Sequence, residues 1–151
     1  GVDFALSYRR LSLAAEAVRR GASFIATNRD HVFPTPDGLA AGAGTIVAAV
    51  AVAVGREPDL VVGKPEPGLF EQAARAARLP LRGAVVIGDG LLTDVLAARR
   101  VGARSVLMLT GVTTPRELAE ATAANAADGP TAVARDAGEL ALILKDLSAA
   151  G

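Results

Sequence analysis

The sequence of 151 residues contains no cysteine and no tryptophan, and aromatic residues make up only 3% of it. Without cysteine, disulfide bonds and thiolate-bound metal sites are both excluded. Because so few aromatic rings are available, a folded core must be built mainly from Val, Leu, Ile and Ala. Such small side chains favour close packing of helices against a sheet.

Net charge is also absent, because 16 Lys and Arg residues balance 16 Asp and Glu residues. No net field then draws the chain to nucleic acid or to anionic lipid, and we expect neither as a partner. Long apolar runs are missing too. The most apolar window, Thr45 to Val54, is far shorter than the roughly 20 residues that a membrane helix needs. We expect a cytoplasmic location.

Hydrophobic residues make up 51% of the sequence and charged residues 21%, which predicts a folded domain rather than a disordered chain. The length suffices for one ordinary domain, or for one domain and a small additional piece. The chain begins at Gly1 rather than at a methionine. Its first residues look like the frayed end of an element, so we expect a fragment of a longer protein.

The most informative stretch is a short apolar run that stops at a Gly-Asp pair. Residues 84–87 read Ala-Val-Val-Ile and precede Gly88 and Asp89. The run predicts a buried parallel strand, whose carboxyl end is where open α/β sheets bind ligands. Asp94 follows about one helical turn later, inside a predicted helix over 91–101. Either the two acids hold a cation such as Mg²⁺, or Asp89 only caps the helix and Asp94 is a first-turn acid that the helix dipole stabilises.

Strand-like and helical segments alternate along most of the chain. This order predicts an α/β protein with right-handed crossovers and a mostly parallel sheet covered by helices on both faces, a three-layer Rossmann-like arrangement. Residues 31–39 are the exception, and we interpret them as a loop because Pro34, Pro36 and Asp37-Gly38 favour turns. The predicted strands are 22–26, 60–62, 84–87, 105–109 and 131–134, and the predicted helices are 8–20, 45–54, 68–78, 91–101, 115–126 and 138–147.

Polar residues follow three of the predicted strands. Lys64 follows strand 60–62, Asp89 follows strand 84–87, and Thr110 follows strand 105–109. If these strands are parallel neighbours, the three residues meet at one edge of the sheet. A lysine and a metal-bound carboxylate at one edge can neutralise a phosphoryl group, which is the main requirement of phosphoryl transfer.

Each polar residue also has a simpler interpretation. Lys64 can be a solvated surface charge, and its Gly-Lys-Pro context lacks the glycine spacing and the Ser or Thr of a Walker loop. Asn28 and Asp30 can hold an Asx-type turn. His31, the one histidine, is expected to be exposed rather than to act as a ligand or a base.

Four motifs occur in order along the chain. They read Ala-Thr-Asn-Arg-Asp at 26–30, Gly-Lys-Pro-Glu-Pro at 63–67, Gly-Asp-x-Leu-x-Thr-Asp at 88–94 and Leu-Thr-Gly-Val-Thr at 109–113. Together they resemble the haloacid dehalogenase-like (HAD) phosphatases of subfamily IIA, the NagD, 4-nitrophenylphosphatase and phosphoglycolate phosphatase type. These proteins have a large α/β cap, and the resemblance covers nearly the whole chain.

The resemblance implies a Mg²⁺-dependent phosphatase that acts on a small phosphorylated metabolite. In that family an aspartate attacks the phosphoester, and water then hydrolyses the aspartyl-phosphate. Lys64 would steady the phosphate and the nucleophile, and Asp89 would bind Mg²⁺. Asp94, the second acid of the same motif, would support the metal site.

The resemblance also implies a division of the chain. Residues 1–58 would be part of the cap, and residues 59–151 would be the C-terminal part of the HAD-like core. A homodimer through the cap would fit the subfamily. Part of the cap face would close over the substrate, and the residues assigned to it are Asn28, Arg29, Asp30 and Phe33.

Several features depart from the family pattern. The Asp-x-Asp-Gly motif that supplies the nucleophile is absent, and Asp3 has no second acid two residues later. Gly90 stands where a larger polar residue, often Arg, is common in the subfamily, and Leu92 stands where an acid or another polar residue is common. We therefore expect an incomplete core that is inactive by itself and binds Mg²⁺ weakly.

Two alternatives stay open. One is a non-catalytic α/β module that binds phosphate or partners. The other is a different doubly wound domain, although the acidic pair of a receiver and the Gly-x-Gly-x-x-Gly of a dinucleotide-binding domain are both absent.

Overall fold

The computed structural model describes residues 1–149. It divides the chain into two compact units, one from Gly1 to Gly63 and one from Lys64 onward. Both units combine helices with parallel strands, which confirms the predicted α/β class. Within residues 1–149, no helix has the length and apolar character needed to cross a membrane.

The first unit packs two helices against a small parallel sheet. Ser7 caps the first helix by accepting a hydrogen bond from the Arg10 N–H, and Gly55, in the left-handed conformation, ends the second. The core consists of Phe24, Ala26, Val47 and Val50. The elements are α1 (Tyr8–Arg19), β1 (Ile25–Ala26), β2 (Val32–Thr35), β3 (Gly38–Ala41), α2 (Ala43–Val54) and β4 (Leu60–Val61), with β1 and β4 parallel.

The prediction of a loop at residues 31–39 is wrong, because β2 and β3 form an antiparallel hairpin there. Its turn is made by Pro36 and Asp37, and Gly38 leaves it with a φ of +122°, which glycine adopts without strain. Pro34 is tolerated because a two-stranded hairpin consists of edge strands only. The turn formers were recognised correctly, but they connect two strands.

The second unit contains a parallel sheet in the order β5-β6-β7. Its core is aliphatic, as predicted, and Leu107 and Val106 on the middle strand are its largest fully buried side chains. On β5 the side chains alternate, since Val86 is 8% exposed and Ile87 45%. The elements are α3 (Gly68–Ala77), β5 (Val85–Gly88), α4 (Leu96–Arg100), β6 (Arg104–Met108), α5 (Pro115–Ala124), β7 (Ala132–Ala134) and α6 (Ala137–Ala149).

The helix predicted over 91–101 is not uniformly α-helical. Residues Leu91–Val95 form one π-helical turn that leads directly into α4. The Gly90 carbonyl accepts from the Asp94 N–H at 2.9 Å and from the Val95 N–H at 3.1 Å, which is the wider ring of a π turn. Asp94 lies in this turn, and its Oδ2 accepts from the Gly90 N–H at 3.1 Å.

Asp59 connects the two strands of the small parallel sheet. Its Oδ2 accepts a hydrogen bond from the Phe24 N–H at 2.7 Å, and its own N–H donates to the Phe24 carbonyl at 2.8 Å. The hydrogen bond from the Phe24 N–H is the main cause that lowers the pKa of Asp59, and one from Arg56 lowers it further. Because folding lowers this pKa, the ionised carboxylate stabilises the folded chain.

We predict that Asp59→Asn makes the thermal stability less sensitive to acid. The stabilisation from Asp59 is complete above the pKa of the unfolded state and is lost as the pH falls through the lower folded-state pKa. Circular dichroism melts should therefore give a Tm difference between the two proteins that is largest at neutral pH and shrinks below about pH 4. Asp146→Asn, at an exposed position of α6, is the matched control. A Tm difference that stays constant with pH would contradict the prediction.

Candidate active site

The site lies in the second unit, at the carboxyl end of β5, where Asp89 directly follows Gly88. Gly90 then begins the turn that carries Asp94. Lys64, at the start of the same unit, reaches the same place, since its ammonium contacts the Asp94 carboxylate. The structure thus brings together the three residues that the sequence singled out for phosphate and metal binding.

Asp94 has a buried carboxylate, and both of its oxygens accept hydrogen bonds. The residue is 4% exposed. Its Oδ1 accepts from Lys64 Nζ at 2.5 Å, and its Oδ2 accepts from the Gly90 N–H at 3.1 Å and from Thr93 Oγ1 at 3.3 Å. A charge this deeply buried requires such partners. In this geometry Asp94 orients Lys64 and fixes the turn, and its role at a metal site stays a prediction.

Lys64 itself remains partly open to solvent. Its side chain is 45% exposed, so the ion pair with Asp94 does not enclose the whole ammonium group. An ammonium has three donors, and Asp94 Oδ1 uses one of them. The other donors can reach an anion that approaches from the solvent side.

Asp89 is half-buried and held on one side only. Its Oδ2 accepts from the Val112 N–H at 3.0 Å, and within residues 1–149 no hydrogen bond reaches its Oδ1. Asp89 does not cap the following helix, because the cap position is Gly90 and the Asp89 carboxylate accepts its hydrogen bond from Val112 instead. The helix-capping interpretation therefore fails for Asp89, whereas Asp94 does lie in the first turn of the helix.

The loop after β6 contributes other residues to the site than the predicted Thr110. Thr110 is exposed in the turn after β6, and no hydrogen bond to its hydroxyl occurs within residues 1–149. The contact with Asp89 comes instead from Val112 and Thr113, the end of the same Leu-Thr-Gly-Val-Thr motif. The motif was a usable signal, but the sequence does not show which of its residues turns inward.

An open cleft of about 500 Å³ lies beside these loops. Its walls are mostly apolar and include the strongly exposed Leu92 and Val112. Glu117 and Glu120 of α5 form the polar part of its rim. Glu117 belongs to the capping box of Thr114, whose N–H and hydroxyl lower its pKa.

The residues assigned to the cap face lie in the first unit and are described there by themselves. Asn28 accepts a hydrogen bond from the Asp30 N–H at 3.2 Å, which is the Asx-type turn anticipated above. Arg29 pairs with Glu57, and the Phe33 ring packs edge-on against Phe4 with centroids 6.1 Å apart. Their substrate-binding role stays a prediction.

The carboxylates of Asp89 and Asp94 supply only part of a site for a hard cation such as Mg²⁺. Within residues 1–149, no group of three or more His, Asp or Glu side chains is arranged to hold a metal ion. Asp94 is committed to Lys64, which leaves Asp89 Oδ1 as the available carboxylate oxygen. Mg²⁺ keeps several waters and needs only one or two protein carboxylates, so a single oxygen can serve as one of its ligands.

We predict that Gly88→Ala destabilises the second unit by about 2–3 kcal/mol. A Cβ at position 88 would lie 2.1 Å from Asp94 Cγ, so the buried carboxylate would have to move away from Lys64. Urea unfolding followed by circular dichroism measures the loss. Gly68→Ala is the control, because a Cβ there meets nothing within 4 Å. Equal stability of the two variants would contradict the prediction.

A family model and the curated relatives assign the chain to the same family. The model of the HAD-hydrolase-like family matches residues 61–140. The acid sugar phosphatase of Staphylococcus haemolyticus is 38% identical over 80% of this chain and 45% of its own length. The D-glycerol 3-phosphate phosphatase of Mycobacterium tuberculosis is 42% identical over 74% of this chain and 31% of its own length. The chain thus spans less than half the length of these curated relatives.

Solved structures agree with the sequence relatives. The 4-nitrophenylphosphatase from Thermotoga maritima superposes with a TM-score of 0.84 at 38% identity, over 93% of this chain and 52% of that one. The glycerol phosphate phosphatase from Mycobacterium tuberculosis in complex with magnesium has a TM-score of 0.79 at 37% identity, over 90% of this chain and 40% of that one. The chain therefore belongs to the haloacid dehalogenase-like hydrolases, in the NagD-type subfamily IIA of phosphatases.

Proposed function

We propose that this chain carries the lysine and metal-binding side of a phosphatase site that hydrolyses a small phosphomonoester with Mg²⁺. The observation that carries the proposal is the Lys64–Asp94 ion pair next to Asp89 at the end of β5. A positive charge and a free carboxylate oxygen at one edge suit a phosphate and its counter-ion. The relatives named above are phosphatases, and one was crystallised with magnesium.

Each residue has a distinct task in this proposal. Lys64 binds a phosphate oxygen, and Asp94 orients its ammonium group. Asp89 offers Oδ1 to the cation, which when bound neutralises charge on the phosphoryl group. For the cap-face residues Asn28, Arg29, Asp30 and Phe33 we propose a substrate-binding role. We propose a cytoplasmic location and a homodimer through residues 1–58 as part of the same hypothesis.

The sequence lacks Asp-x-Asp-Gly, so we propose that the chain does not turn over phosphoesters by itself. A non-catalytic phosphate-binding module shares this expectation, but it needs neither Asp89 nor a cation. Binding of the cation through Asp89 therefore separates the two functions.

We predict that the chain binds Mn²⁺, a probe for Mg²⁺ sites, with millimolar affinity, as expected for about one protein carboxylate ligand. Electron paramagnetic resonance of free Mn²⁺ measures the binding, and Mg²⁺ should compete. Asp89→Asn should weaken the affinity at least tenfold because it removes the ligand charge. Asp30→Asn, in the other unit, should leave it unchanged. Equal Mn²⁺ affinity of native and Asp89→Asn protein would contradict the metal assignment.

We predict that Lys64→Met weakens binding of inorganic phosphate about tenfold, as expected for loss of one charge-assisted contact. Broadening of the ³¹P resonance measures the affinity, and Lys145→Met is the control because Lys145 is the other lysine of the chain and lies on α6. A parallel assay with 4-nitrophenyl phosphate and Mg²⁺ should show no turnover. Turnover that depends on Mg²⁺ and disappears in Asp89→Asn would overturn the proposed inactivity of the chain.

A further inference from the structure

The loop after β6 reaches across to Asp89 and holds it at two places. The Val112 N–H donates to the carboxylate Oδ2 at 3.0 Å, and the Thr113 N–H donates to the main-chain carbonyl of Asp89 at 3.1 Å. Thr113 is 7% exposed, so its own contact with Asp89 is shielded from water, whereas Val112 is 56% exposed. Asp89 is therefore tied to a loop more than twenty residues further along the chain.

The hydroxyl of Thr113 strengthens this link because it both donates and accepts. It donates to the Asp89 carbonyl at 2.5 Å and accepts from the Leu91 N–H at 3.3 Å. These two groups lie on either side of Gly90, so the hydroxyl fixes the main chain directly after the Asp89 side chain. Serine can make the same pair of bonds, whereas valine has the shape of threonine and can make neither.

Gly111 allows the loop to approach this closely. A Cβ at position 111 would lie 1.9 Å from Asp89 Oδ2, so only glycine lets the Val112 N–H reach that oxygen. One oxygen of the carboxylate is thereby engaged by the loop. Within the described residues the other oxygen, Oδ1, keeps no hydrogen-bond partner and is available to a ligand.

We propose that Thr113 is a positioning residue that aims the Asp89 carboxylate at the cation, through the loop Gly111–Thr113. The inference rests on the proposed metal role of Asp89. The Thr113 hydroxyl donates its proton to the Asp89 carbonyl and accepts the Leu91 N–H, so in this proposal it acts through the main chain that carries Asp89. Hydrogen-bonded partners of metal ligands commonly contribute 10- to 100-fold to metal affinity. The Val112 N–H is such a partner of the Asp89 carboxylate, and the Thr113 hydroxyl holds the main chain beside it.

The test compares the Mn²⁺ affinity of native protein, Thr113→Val and Thr113→Ser by electron paramagnetic resonance. Thr113→Val should weaken the affinity about tenfold or more, and Thr113→Ser should restore it to about the native value. Thr131→Val is the matched control, because the Thr131 hydroxyl also accepts a main-chain N–H, that of Ser105 at 3.0 Å, but has no link to Asp89. It should lower stability without changing the metal affinity.

A second measurement needs neither metal nor variant. In the native protein the amide protons of Leu91 and Val112 should exchange slowly, because Thr113 and Asp89 accept them. Fast exchange at both amides would overturn the proposal, as would native Mn²⁺ affinity in a folded Thr113→Val.

If Asp89→Asn fails to weaken Mn²⁺ binding, the proposed metal role itself is wrong. If Asp89→Asn weakens it and Thr113→Val does not, only the positioning role is wrong.

Discussion

The buried carboxylate of Asp94 is the constraint on which the rest of the candidate site depends. A charge at 4% exposure is stable only if its oxygens are matched by donors, and three different groups supply them. The Gly90 N–H comes from the turn itself, and the Lys64 ammonium comes from the start of the unit. Satisfying one carboxylate therefore fixes the position of the lysine, the shape of the turn and the end of β5.

A π-helical turn at Leu91–Val95 accompanies this arrangement. A regular α-helix from residue 91 would need only the bond from Asp94 N to Gly90 O, whereas here the Val95 N–H converges on the same carbonyl. Such turns recur at functional sites because they redirect one side chain without ending the helix. The core beneath tolerates it because Ala97 and Ala98 are fully buried and let α4 pack tightly.

The sequence predicts the larger elements well because their signals are local. A β-branched run that stops at Gly88 marks β5, and Thr114 followed by Pro115 marks the start of α5. The hairpin at residues 32–41 was missed because strand pairing depends on a register that no short window contains. The Thr113 contacts were missed for a similar reason, since they join residues far apart in sequence and depend on which way a loop turns.

Two glycines, at 88 and 111, bring main chain against the carboxylates of Asp94 and Asp89 so closely that no Cβ fits at either place. Point substitution at these positions cannot then adjust the rim without moving a charged group. The hairpin of the first unit has no such restriction at its exposed positions, since Val32 is 47% exposed and Leu39 70%. Main-chain contacts with two charged groups therefore restrict which residues positions 88 and 111 accept.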